Sequence, residues 1–329
     1  MKVKSSAPGK IFLCGEYMAT EGGKATLLSV NRSVEVSIER NHTHDNRLYT
    51  SALKKDFIFR VNNKFEVEWI GDNPNNFGAI FEIALKILKV KPSNENFSIL
   101  SDGFFQKDTK IGIGSSSAIA VAITRSINKY YSLNLDAKEE LYNSIELHRA
   151  FQKYKGSGLD VVTSYIGAPI IECSRRKDET YEWKQLRIPD GIHIGFIKGN
   201  DSANTREMLT RFETGKLDKV EFFREISREM KESLKELSHA FDQSCRLDIL
   251  KSLKRYSTLM IEMDSTFNIG VYSETDKEIS ILADKEGLIY KPSGAGGGDL
   301  GIIIGDNNSI ISKFMDRLSK LRMRQIELI

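Results

Sequence analysis

Cysteine, proline and tryptophan are scarce in this chain, at 3, 6 and 2 of 329 residues. Cys14, Cys173 and Cys245 are odd in number, far apart and outside metal-ligand spacing. That argues against a disulfide framework or a zinc site and leaves buried or inert thiols. Six prolines and 24 glycines leave no room for a long disordered or fibrous region. Neither sign of charge dominates, with 48 Lys+Arg against 45 Asp+Glu. The strong basic excess of a general nucleic-acid binder is therefore missing, although local basic clusters for a small anion stay open. No apolar run approaches the roughly 18–20 residues of a membrane helix. No signal-peptide core follows Met1-Lys2-Val3-Lys4. A cytoplasmic protein is expected, with neither a nucleic-acid nor a membrane partner.

At a prior of roughly 150 residues per domain the length suits two domains. Lys2 to Leu13 reads as a strand broken by Pro8-Gly9, and Val34, Val36 and Ile38 alternate with polar residues as in a half-buried strand. The polar stretch 41–75 suggests surface hairpins, with strand-like pieces at 56–61 and 65–70. Phe77–Val90 and Ala137–Gln152 carry the apolar period of amphipathic helices. Beyond residue 190 come a short strand at 192–197, long charged helical patterns near 216–240 and 244–268, and a helix near 275–285. Strands at 288–290 and 300–304, a helix at 309–321 and a terminal edge strand follow. The class is α+β, with a boundary near 185 dividing a lobe 1–185 from a lobe 186–329. The long charged helices offer either a solvated outer face or a surface on which a homodimer could form.

Three glycine-rich junctions concentrate the chemistry. In Ala7-Pro8-Gly9-Lys10, a stiff turn is expected to aim Lys10, a compact cation suited to phosphate. In Lys110-Ile111-Gly112-Ile113-Gly114-Ser115-Ser116-Ser117-Ala118, glycines precede an apolar segment. Unpaired N–H groups and the dipole of a helix starting there suit phosphate. The Gly-Lys-Ser/Thr ending of a Walker A loop is absent, and G-x-G-x-x-G does not fit. The third junction, Lys291-Pro292-Ser293-Gly294-Ala295-Gly296-Gly297-Gly298-Asp299, has a glycine density that a flexible turn alone hardly explains. Close backbone approach, to a ligand or to the other domain, is the expected purpose. Gly156-Ser157-Gly158-Leu159-Asp160 puts a carboxylate after a tight turn, and His148 reads as a capping or packing histidine.

In this order the motifs resemble the GHMP kinase superfamily, named for its galacto-, homoserine, mevalonate and phosphomevalonate kinases. The first motif is Pro8-Gly9-Lys10 through Gly15-Glu16-Tyr17, the second Gly112–Ser116, the third Gly294–Gly298. The phosphomevalonate kinase branch is the most similar, through Lys291-Pro292-Ser293, Asp299-Leu300-Gly301, the segment from His148 and Gln152 to Asp160, and Ser202-Ala203-Asn204-Thr205. Two departures stand out. Phe151–Lys155 lacks the usual Gln-Gly-Lys, and the magnesium-binding Glu of mevalonate kinases would align near Arg149.

The resemblance implies a two-lobed fold, with an N-terminal lobe like domain 2 of ribosomal protein S5 and a ferredoxin-like C-terminal lobe, the nucleotide and acceptor lying in the cleft between them. It implies ATP as co-substrate with Mg2+, and mevalonate 5-phosphate as the acceptor. Lys10 and Asp160 are the expected catalytic residues. Lys110, Gly112, Gly114, Ser115, Ser116, Ser117 and Ala118 are expected at ATP, with Ser116 also at the metal. Ser157, Gly158, Ser202, Thr205, Arg206, Ser293, Gly294, Ala295 and Gly296 are expected at the substrate, the third loop closing over it. Lys110, Lys153, Lys155 and Arg206 are further candidates for an acceptor phosphate. If Asp160 acts as a base, a 5-hydroxyl acceptor, mevalonate or mevalonate 3-phosphate, fits as well. A non-catalytic sensor on the same fold and a diphosphomevalonate decarboxylase are the other readings.

Overall fold

A strand can run through Pro-Gly when its ladder does not need the missing N–H. In the computed structural model, which describes residues 2–106, 109–154, 156–199, 205–318 and 323–329, strand β1 extends over Lys2–Cys14 without a break. Val3, Ala7, Gly9, Ile11 and Leu13 are buried on one face. Among the described residues β1 pairs with β2 (Ala25–Arg40) alone, and an edge strand tolerates a residue without an N–H. Gly9 is required by crowding, not by a turn. A Cβ there would stand 2.5 Å from Ile113 O and 2.8 Å from the Phe104 ring. The expected break at Pro8-Gly9 and the turn holding Lys10 are therefore corrected: Lys10 is aimed by extended backbone.

Two compact units emerge, Met1–Lys10 with Ser29–Gly167 and Ile11–Leu28 with Ala168–Ile329. The boundary expected near 185 falls inside the second unit, between β10 and β11 as defined below.

In the first unit, Glu35–Arg40 of β2 runs antiparallel to β6 (Glu95–Leu100). Next come β3 (Asn46–Thr50), β4 (Lys55–Val61) and β5 (Val67–Ile70), in the order β2-β6-β3-β4-β5. The stretch 41–75 is thus more than surface hairpins, because β3 pairs in parallel with β6 within the sheet. Helix α1 (Asn76–Ile87) buries Ile80, Phe81, Ala84 and Leu85. Phe81 meets Phe59 and Phe97 edge-on, each at 5.0 Å between ring centroids, an arrangement the ring quadrupole favours. A two-residue ladder, β7 (Phe105–Gln106) with β8 (Thr109–Lys110), precedes three helices. These are α2 (Ser115–Tyr131), α3 (Ala137–Phe151) and α4 (Leu159–Ile166). Ser126 on α2 donates to Val36 O at 2.9 Å, fixing the helix on the sheet. A reciprocal capping box, Asp136 with Glu139, starts α3.

In the second unit, Ala25–Leu28 of β2 pairs with β9 (Ile170–Arg175), and β9 with β10 (Tyr181–Gln185). A separate antiparallel sheet joins β11 (His193–Lys198), β12 (Ile289–Pro292), β13 (Leu300–Gly305) and β14 (Arg324–Ile326) in the order β12-β13-β11-β14. Between β11 and β12 lie α5 (Thr205–Asp218), α6 (Val220–Asp242), α7 (Arg246–Phe267) and α8 (Glu274–Lys285), and α9 (Asn308–Leu318) precedes β14. Strand, helices, two strands, helix, strand in that order is the ferredoxin-like pattern. Ile279, Ala283, Tyr290, Ile303, Ile311 and Phe314 form its core. The long helices α6 and α7 turn Met230, Leu234 and Leu237, and Leu253, Tyr256 and Met260, inward. Among the described residues no helix is long and apolar enough to cross a membrane.

Candidate active site

The second glycine junction is a tight turn into α2. Gly112 and Gly114 have φ of 88° and 75°, left-handed values that other residues adopt at a cost. Ser117 donates its hydroxyl to Gly114 O at 2.8 Å, and Ala118 N donates to the same oxygen at 3.2 Å. Ser117 and Ala118 are fully buried, and the Ser117 hydroxyl and the Ala118 N–H close the turn. Ser115 and Ser116 stay partly exposed at the positive end of α2, where backbone N–H groups suit an anion.

Lys10 crosses this turn. Its N–H donates to Ile113 O at 2.9 Å, and a Cβ on Gly114 would stand 2.8 Å from Lys10 Cε. Glycine at 114 is what allows the lysine stem to lie against the loop. Lys110 is exposed, with its ammonium 5.9 Å from the centre of the Phe77 ring.

Asp160 sits in the first turn of α4, after Gly158 in a left-handed conformation. Its Oδ1 accepts from Val161 N at 3.0 Å, and its Oδ2 lies 3.5 Å from His148 Nε2. His148, on α3, is 1% exposed. Its Nε2 is 3.0 Å from Ser116 Oγ and 3.2 Å from the Gln152 amide nitrogen. Burial holds the imidazole below its ordinary pKa; Asp160 opposes that shift and the charge of Lys10 adds to it. The packing role expected of His148 is only half of its part, because the ring lies between Ser116 and the Asp160 carboxylate. Arg149, where mevalonate kinases are expected to carry a metal ligand, pairs with Glu146 at 3.4 Å.

For magnesium the first unit offers hard oxygen donors, Ser116 Oγ and the Asp160 carboxylate, both grouped at one ring nitrogen. No cluster of three or more His, Cys, Asp or Glu that could hold a metal is found among the described residues. That donor set fits an ion that keeps waters and phosphate oxygens in its shell, as Mg2+ does, and not a closed protein cage.

The third junction lies in the second unit, between β12 and β13. Ser293 Oγ accepts from Phe12 N and donates to Phe12 O, both at 3.1 Å, while Ser293 N donates to Leu300 O at 2.9 Å. Ser293 is therefore an anchor of the loop. Tyr17 donates to Ala295 O at 2.8 Å, and Gly297 N to Val271 O at 2.8 Å. Asp264 in turn holds the 270–272 backbone, accepting from Gly270, Val271 and Tyr272 N at 2.8–2.9 Å. A Cβ at Gly296 would come within 2.4 Å of Val271 O. These ties hold the loop to its own unit. Beneath it the Lys291 ammonium pairs with Glu16, both buried, and Lys198 pairs with Asp299 at 2.7 Å.

Ser157 is buried with its hydroxyl 3.4 Å from Leu159 N, Gly158 caps α4, and Thr205 opens α5 on the surface. Lys153 is exposed. Ser202 and Lys155, and the side chain of Arg206, lie outside the described residues. The geometry adds His148 and Gln152, one helical turn apart in sequence, to the site. Cys14 and Cys173 are buried, and burial pushes the Cys14 thiol up, which keeps it unreactive.

Residues 80–168 match the model of the GHMP kinases N terminal domain family. The chain is 25% identical over 319 residues to a phosphomevalonate kinase of Saccharolobus solfataricus, covering 93% of this chain and 91% of that protein. It is 27% identical over 299 residues to a mevalonate kinase of Archaeoglobus fulgidus, covering 89% of each. In fold it superposes on Streptococcus pneumoniae phosphomevalonate kinase, solved in complex with phosphomevalonate and AMPPNP. The TM-score is 0.81 at 16% identity, with 100% of both chains covered.

Proposed function

We propose that this chain, a small-molecule kinase of the GHMP superfamily, transfers the γ-phosphoryl group of ATP to the phosphate of mevalonate 5-phosphate, releasing ADP and the 5-diphosphate. The observation that carries this reading is the grouping, within one unit, of Lys10, the Gly112–Ser117 turn and the Ser116–His148–Asp160 cluster. Phosphoryl transfer asks for alignment and for positive charge around the moving group, with little covalent work from the protein. The backbone of Gly112–Ser116 and the start of α2 hold the nucleotide phosphates. Lys10 neutralises charge on the transferring group. An oxygen of the acceptor phosphate attacks the γ-phosphorus as the bond to the β–γ bridging oxygen breaks. A phosphate monoester has a second pKa of about 6 and is already mostly ionised at neutral pH, so the attack needs no strong base. Asp160 then serves to orient Lys10. A magnesium ion held by Ser116 and Asp160 with phosphate oxygens would supply further charge neutralisation. In the first unit we assign Ser157 and Gly158 to the acceptor. A cytoplasmic enzyme is the matching location.

The acceptor is supported by the phosphomevalonate kinase relatives, which the chain matches over about nine-tenths of its length, and by Asp299 after the third loop. A hydroxyl acceptor is favoured instead by one feature: Asp160 Oδ2 is too far from His148 for a normal hydrogen bond, which suits a base. ATP turnover with mevalonate, mevalonate 5-phosphate and mevalonate 3-phosphate, products identified by phosphorus NMR, separates the two. A P–O–P doublet from mevalonate 5-phosphate alone is the expected result. A product without that coupling would overturn the choice of acceptor, and nucleotide binding with no turnover would point to a sensor.

A further inference from the structure

Strand β10 is the last in its strand order, so one of its sides faces no other strand among the described residues. Its pairing with β9 fixes which backbone groups that side carries. Arg176 N donates to Thr180 O at 2.8 Å, and Leu186 N donates to Ile170 O at 3.0 Å. Both pairs continue the register in which Glu182 faces Ser174 and Lys184 faces Glu172. Hydrogen-bonded and non-hydrogen-bonded pairs alternate along an antiparallel ladder. The backbones of Glu182 and Lys184 therefore bond to β9, while Trp183 turns its N–H and C=O outward. Its side chain is 45% exposed, and neither proline nor glycine interrupts Tyr181–Gln185.

An open edge is a template for a further strand, and natural edges are guarded by charge. Here the guard is one Glu and one Lys set symmetrically about Trp183. The same strand laid antiparallel, with a two-fold axis at Trp183, sets Glu182 against Lys184 of the second copy, and does so twice. The two Trp183 residues then face each other and exchange two N–H···O bonds. Internal partners compete little: Glu182 with Arg176 and Lys184 with Asp242 are surface ion pairs, every side chain more than a third exposed. The edges of the separate sheet offer no such match, because β12 is buried and ends in Pro292, and β14 has three residues and one charge, Arg324. We propose that β10 is the seam of a homodimer, two copies joining through an antiparallel β10–β10 pair centred on Trp183. The inference does not depend on which acceptor the enzyme phosphorylates. A five-residue strand pair buries little area, so the dimer is weak and concentration-dependent.

The test is sedimentation velocity on the full chain from about 1 to about 200 µM. Wild type is expected to pass from monomer to dimer within that range. Glu182→Lys sets lysine against lysine at both symmetric pairs, and Lys184→Glu sets glutamate against glutamate. Each should weaken the dimer by about 10-fold or more. An equimolar mixture of the two variants should regain it, because every pair across the two-fold is again of opposite sign. Trp183→Pro removes an outward N–H that the ladder with β9 does not use, and should leave a folded monomer throughout. Thermal melting followed by circular dichroism checks that each variant folds. Glu172, 3.6 Å from Lys184, keeps Lys24 at 2.7 Å; should Lys184→Glu still fail to fold, Glu182→Lys and Trp183→Pro carry the comparison. Wild type that stays monomeric throughout, or a mixture of charge variants no tighter than either alone, would overturn the proposal. So would a dimer that Glu182→Lys and Trp183→Pro leave unchanged, which would put the contact on another surface, such as α6 and α7.

Discussion

Replacing Lys291 by methionine should unfold the second unit at a markedly lower temperature. The Lys291 and Glu16 side chains are 1% and 3% exposed, and the ammonium also donates to Pro292 O at 2.8 Å. Glu16 Oε2 is buried and already has no hydrogen-bond partner among the described residues. Methionine fills much of the lysine's volume, so the dominant loss is electrostatic: a buried carboxylate stripped of its counter-ion. Removing one member of a buried pair costs about 3–5 kcal/mol. In a domain of about 150–250 residues each kcal/mol moves the melting temperature by about 2–4 °C, giving a drop of roughly 6–20 °C. Differential scanning calorimetry measures it. The double variant Glu16→Leu/Lys291→Met removes both charges and should recover to within about 1–2 kcal/mol of wild type, since an apolar replacement for a buried pair is often neutral. If the single variant stays within about 1 kcal/mol of wild type, or the two losses add, the pair is not an isolated buried ion pair and the reasoning fails.

Two further outcomes follow from the first unit. Gly114→Ala puts a methyl 2.8 Å from Lys10 Cε at a left-handed position. It should lower kcat by about 100-fold through displacement of Lys10, at a backbone cost of only about 1–2 kcal/mol; kcat within a few-fold of wild type would show that the lysine does not depend on this contact. For His148, burial depresses the native pKa below the ordinary value of about 6.5, so in the window between the two values the unfolded chain binds a proton that the native one does not. Its contribution to stability is complete above about 6.5 and is lost as pH falls through the depressed native value. Melting temperatures between pH 8 and 5 should fall less steeply for His148→Gln than for wild type, and parallel curves would refute the assignment.

The second and third glycine junctions were legible because glycine density is a local property: a turn that needs φ near 75–90° announces itself in composition. Strand β2 was read only at 32–39, where one face is wet and the residues alternate. Its first part, Ala25–Val30, is buried on both faces and shows no period to read. Pro8-Gly9 misled for the opposite reason. The dipeptide is a turn signal in isolation, and it is the pairing of β1 with β2 that keeps it extended. The 205–218 helix went unread because its apolar pattern is weak, and it is buried mainly at Met208 and Phe212.

The amino-acid sequence by itself determined the α+β class, the three glycine junctions and the presence of Lys10 and Asp160 beside them. Those depend on residue type and short spacing, which the chain displays without folding. The tertiary structure alone decided the partners: Ser116 with His148, Glu16 with Lys291, Tyr17 with Ala295, and Ser293 with Phe12. In sequence each of these polar residues is compatible with a solvated surface. It becomes a lever only once folding sets a partner against it, as many as 281 positions away in the chain.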